Sequence, residues 1–158
     1  MMSGRTTASV VAGLLAGVVF GLMMQMMMAP TPDGGQMPMI AMVGQIVGSP
    51  TAGAGWLYHL FNSAVIGAIF GWLFGDRVHG FASALGWGAG YGFVWWILGG
   101  LILMPILLGM PAFAPLMMPP MRMVAMGSLV GHLIFGLILG GTFAWLRTGA
   151  QHGAPVGA

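Results

Sequence analysis

Two histidines, His59 and His132, lie inside long charge-free apolar stretches of this 158-residue chain. An imidazole in such surroundings is costly unless it is hydrogen-bonded or ligated. The bland role is glue between helices, each ring bonded to a backbone carbonyl or, for His59, to Asn62. The sharper role is ligation. A neutral imidazole binds transition metals through one ring nitrogen. Two imidazoles on facing helices could also fill both axial positions of a haem b, with Trp95 and Trp96 packed on the macrocycle.

Methionine is the second candidate. The chain has 17, and all but Met1 and Met2 fall into two clusters, Met23 to Met42 and Met104 to Met126. Thioether sulfur is a soft ligand that selects Cu(I). The spacings Met39-x-x-Met42 and Met123-x-x-Met126 each place two sulfurs on one helical face. The alternative is that methionine serves as flexible apolar filler. His59, His132, Met39, Met42, Met123 and Met126 form the candidate metal set.

These side chains must be carried by membrane helices. Hydrophobic residues make up 58% of the chain and charged residues 4%, with four arginines and two acids. A soluble domain carries roughly 25% charged residues, so six charges cannot coat a water-facing surface. Cysteine is absent, which removes disulfides, iron–sulfur clusters and thiolate zinc sites. The net charge of +2 is too small for a nucleic-acid surface. About 20 apolar residues cross a bilayer, and four stretches qualify: about Val10 to Met28, Trp56 to Phe74, Phe81 to Met104, and Met123 to Leu146. The first reads as a span rather than a cleaved leader, because no A-x-A site follows it.

The expected fold is therefore all-α and polytopic: four transmembrane helices in two tandem hairpins. One transmembrane domain covers 1–158, with a first repeat at about 8–75, a second at about 81–147, and a flexible tail over 148–158. His59, Gly67, Phe70, Trp72 and Leu73 recur 73 positions later as His132, Gly140, Phe143, Trp145 and Leu146. Gly13, Gly17, Val19 and Pro30 recur 75 positions later as Gly88, Gly92, Val94 and Pro105. Two spans return a chain to its starting side, so the copies run parallel, related by an axis along the membrane normal. The repeat then puts both imidazoles at one depth, facing the bundle. Met39 to Val47 is expected as a short interfacial helix. The prolines between Pro105 and Arg122 forbid one regular helix there.

Arg5, Arg77 and Arg147 fall on one side of a four-span chain and Arg122 on the other. The excess of cations marks the cytoplasmic side, so both termini are expected in the cytoplasm, in a prokaryotic inner membrane. Glycines four apart form ladders: Gly13, Gly17 and Gly21; Gly67, Gly71 and Gly75; Gly88 and Gly92; Gly127 and Gly131; Gly136 and Gly140. Such ladders let backbones approach closely, within one bundle or against a second chain.

The strings His59-Leu60-Phe61-Asn62-Ser63-Ala64-Val65-Ile66-Gly67 and Trp95-Trp96-Ile97-Leu98-Gly99-Gly100, running on to Met104-Pro105, carry a resemblance over nearly the whole chain. The chain resembles a group of small prokaryotic four-helix integral membrane proteins of uncharacterised function. The resemblance implies the four-helix fold and no functional residue.

No catalytic set is legible. Asp33 and Asp76 lie in different connections, so a paired-carboxylate mechanism is excluded. There is no Gly-x-Ser-x-Gly elbow, phosphate loop or HExxH, and an enzyme is not expected. Three functions are taken in order. The first is an accessory or structural subunit of a larger membrane assembly or homo-oligomer, held by glycine ladders and Met-rich surfaces. The second is a Cu(I)-binding or transfer protein. The third is a bis-His b-haem electron carrier.

Overall fold

Four long runs of apolar residues separated by proline and glycine should fold as helices, because lipid offers no partner for an unpaired backbone amide. Among its described residues, the computed structural model has four helices long and apolar enough to cross a membrane: Gly4–Met26, Ala52–Phe74, Phe81–Leu107 and Pro119–Thr148. It describes residues 2–31 and 33–152, with side chains for 4–31 and 33–148. The side chain of His152 and all of 153–158 lie outside the described residues.

In chain order, α1 is Met2–Met26, β1 Met28–Pro30, β2 Gln36–Pro38, α2 Met39–Gln45 and α3 Ala52–Phe74. Then follow α4 Phe81–Trp95, a π-helical segment Trp96–Leu103, α5 Met104–Leu107, α6 Ala114–Met117, a 3-10 turn Pro119–Met121, and α7 Arg122–His152. The last helix thus continues five residues into the stretch expected as tail. The β1–β2 hairpin pairs antiparallel, Ala29 opposite Met37, around a turn where Gly34 takes φ +83°. Its short strands gave no alternating pattern to read. Thr51 starts α3 by accepting a hydrogen bond from the Ala54 amide at 3.3 Å, an N-cap that satisfies a donor the helix itself leaves unpaired.

The expected interfacial helix is α2, but it does not lie on a surface. Met39 through Gly44 are all buried, and a Cβ added to Gly55 of α3 would run into the Ile40 carbonyl of α2. The helix is a plug set against α1 and α3.

Pro105 sits in the third long helix and has no N–H to offer the Leu101 carbonyl four residues back. The Phe113 amide donates to that carbonyl instead, at 2.6 Å. The substitution ties the loop after α5 back onto the helix, as a buried orphan carbonyl requires.

Helix α1 packs on α3, and α4 packs on α7, with α1 also packed on α7. The ladders make these contacts. A Cβ on Gly13 would meet Gly67 Cα at 2.9 Å, and one on Gly88 would meet Gly140 Cα at 3.2 Å. Gly92 faces the His132 carbonyl, while Gly17 faces the Ser63 side chain. Gly21 abuts the Trp56 ring, Gly71 abuts Ser9, Gly127 meets Met27, and Gly131 meets Phe20. Every predicted ladder is thus used within the chain. Gly86 and Gly90, outside those ladders, have open space around them.

At the end of the bundle that carries Asp76, Arg5 donates to Asp76 Oδ1 at 2.6 Å. Arg147 donates to the Gly75 carbonyl, and its guanidinium lies 5.6 Å from the Phe143 ring centre. The Arg5 hydrogen bond, and then its charge, holds the Asp76 carboxyl below the ordinary carboxylate range. A carboxyl lowered in the folded chain stabilises it above the unfolded value, and that contribution is lost as pH falls through the folded one. The thermal stability of the wild type in detergent is therefore expected to fall below about pH 4, and Arg5→Gln to remove part of that acid slope. Superimposable pH curves for the two proteins would contradict the pairing. The effect is small, since the Asp76 side chain is 82% exposed.

Candidate functional site

The aromatic rings hold α3 and α4 together near the Asp76 end. Phe74 stacks on Trp87 at 4.8 Å between centroids, and Tyr91 lies 5.3 Å from Phe70. The Tyr91 hydroxyl donates to the Ile66 carbonyl at 2.8 Å. Beyond these contacts, toward the Met-rich end, a half-open cavity of about 290 Å³ lies between α3 and the π-helical segment, lined also by α1, α2, α5 and α7.

Both histidines line it. His59, on α3, bonds through Nε2 to the Gly17 carbonyl of α1 at 2.8 Å. His132, on α7, bonds through Nδ1 to the Ser128 carbonyl one turn back, also at 2.8 Å. A carbonyl only accepts, so each of these nitrogens is the protonated one. The other nitrogen of each neutral ring, Nδ1 of His59 and Nε2 of His132, then keeps its lone pair. The Nε2 of His132 is turned toward Gly99 of the π-helical segment, where a Cβ would stand 3.9 Å from it. An imidazole whose N–H is held by a backbone carbonyl, with the second nitrogen left basic, is the arrangement that metal-ligating histidines adopt.

Phe20 of α1 stands between the two imidazoles. Its ring is edge-on to His59 at 5.7 Å and to His132 at 4.8 Å. The thioether side chains of Met24, Met39 and Met104 also line the cavity, from α1, α2 and α5. Besides the histidines, Tyr58, Asn62, Ser63 and Ser128 add polar groups to a mainly apolar wall.

The structure sorts the predicted residues. It brings His59, His132, Met39 and Trp95 to one cavity. Met42 is buried beside it, in a smaller adjoining space. Met123 and Met126 do not join them: they are 81% and 52% exposed on the outside of α7, because the helix turns the face bearing Val124, Ala125 and Ser128 inward. Trp96 is likewise displaced from the cavity wall, and its indole donates to the Ala125 carbonyl at 3.1 Å. Phe20 and Tyr58 are lining residues that sequence reasoning did not single out, while Met24 and Met104 belong to the two methionine clusters but not to the candidate metal set. Phe20 and Met24 are four apart on α1, a spacing that puts both on one face. Which face turns inward is decided by the Gly13 and Gly17 contacts with α3.

The π-helical segment is a second feature that sequence reasoning missed. Such windings are rare and frequent at functional sites. Here it carries Gly99 and Gly100 past the His132 ring, where a Cβ on Gly100 would lie 3.5 Å from Cε1. Compared with known protein families, curated proteins and solved structures, the chain matches none of them.

Proposed function

We propose that this is an integral membrane protein that binds Cu(I) in the cavity that His59 and His132 line. The observation that carries the reading is that one cavity is lined by two imidazoles, each with one nitrogen anchored to a backbone carbonyl, and by three methionines. Neutral nitrogen and thioether donors suit a soft monovalent ion and poorly suit hard cations. The metal is cargo on this reading, and the protein is a binder rather than an enzyme.

Two other readings have less support. An accessory subunit held by glycine ladders loses that basis, since the predicted ladders pack within the chain. Exposed apolar side chains on the outer faces are what lipid contact already demands. A bis-His haem b needs its macrocycle between the two imidazoles, and Phe20 occupies that position.

The two tandem hairpins read as parallel copies of one unit. The support is a contact pattern that recurs in register. Gly13 faces the Ser63 carbonyl and Gly67, as Gly88 faces the Gly136 carbonyl and Gly140. Phe70 and Phe143, equivalent under the 73-residue offset, meet edge-on at 5.7 Å and are fully buried. The clustering of Arg5, Arg77 and Arg147 around Asp76 favours that end, with both termini, on the cytoplasmic side of an inner membrane.

The test is an anaerobic Cu(I) titration of the detergent-purified protein against a chromophoric chelator, with X-ray absorption at the copper edge. Retention of copper with mixed nitrogen and sulfur ligation is expected. A protein that yields all its copper to the chelator overturns the reading.

A further inference from the structure

Beside the histidine cavity, on its Met-rich side, five methionines from four segments converge: Met39 and Met42 from α2, Met104 from α5, Met110 from the following loop, and Met121 from the 3-10 turn. Together with apolar neighbours such as Leu101, Pro105 and Val124, they line a space of about 20 Å³. That is room for about one water-sized particle. Met39, Met42 and Met121 are about 5% exposed, so lipid contact does not account for their chemistry. Gap-filling is the ordinary use of methionine, whose unbranched chain adapts to irregular spaces. Five of them left a space here. The one side-chain oxygen on this wall is the Ser128 hydroxyl.

We propose that this methionine cup is a second, thioether-only Cu(I) site that passes its ion to the histidine cavity. Met39 and Met104 line both spaces and are the shared ligands across which the ion moves. Transfer is ligand exchange: Cu–S bonds to Met42, Met110 or Met121 break as bonds to the histidine nitrogens form. Copper stays Cu(I) throughout. No proton leaves, because thioethers and the basic nitrogens of neutral imidazoles are uncharged donors. The direction of transfer rests on the cavity reading above, whereas occupancy of the cup can be measured apart from it.

The test compares the wild type, His59→Ala with His132→Ala, and Met110→Leu with Met121→Leu, each titrated with Cu(I) as before. Met42→Leu on its own serves as a second cup variant, since leucine is close to methionine in volume and such swaps are mild. Two equivalents are expected for the wild type. The histidine variant should keep one equivalent with sulfur ligands alone, and the cup variants should keep one with mixed ligands. One mixed-ligand equivalent in the wild type, unchanged in Met42→Leu, overturns the cup and leaves the cavity reading standing. A histidine variant that binds nothing also overturns the cup as an independent site. A wild type that binds no copper overturns both.

Discussion

Gly136→Val is expected to lower the midpoint of thermal unfolding in detergent by roughly 10 °C, a loss of about 3 kcal/mol. The reason is local. A Cβ at Gly136 would collide with the Gly88 carbonyl group, with its carbon at 2.8 Å, and would stand 3.1 Å from Gly92 Cα. All of these are backbone atoms of α4, and no side-chain rotation relieves the clash. The two helices must part, and the packing between α4 and α7 goes with them. Gly90→Val is the matched control. It sits on the same helix as Gly88 and Gly92 but has no heavy atom near the added carbon, so its midpoint should stay close to that of the wild type. Equal losses for the two variants would mean that helix propensity, and not interhelical contact, sets the stability of this pair.

His132→Ala is expected to weaken Cu(I) binding in the cavity about a hundredfold, and His59→Ala comparably. Disturbing a partner that merely orients a ligand costs 10–100-fold in metal affinity, so removal of the ligand belongs at or above the top of that range. Each histidine contributes one lone pair, and each ring is oriented by a carbonyl at 2.8 Å that survives substitution elsewhere. Met123→Leu is the internal control: its side chain is on the outer face of α7 and 81% exposed, so copper retention should not change. Titration of the three variants in parallel decides the matter. A histidine variant with wild-type affinity would reduce both imidazoles to helix-packing groups, a role their carbonyl bonds could fill unaided.

The sequence was sufficient for the number of long helices and for their approximate limits. Apolar run length answers directly to bilayer thickness, and only four runs are long enough. It was sufficient also for the breakage of the chain after Pro105, since proline cannot donate. The spacing of His59 and His132 in otherwise matched strings marked them as related positions. Other features were beyond its reach. A seven-residue apolar segment such as Met39–Gln45 reads the same whether it lies on a membrane surface or is buried in protein. Burial was decided by contact with Gly55, which is distant in the chain. The inward turn of Met39, Met42 and Met104, and the outward turn of Met123 and Met126, depended on helix rotation. In a helix that is apolar all round, the hydrophobic pattern carries no preferred face. Rotation was set instead by where glycine lets two backbones touch, and that is a property of pairs of helices and not of any one stretch of residues.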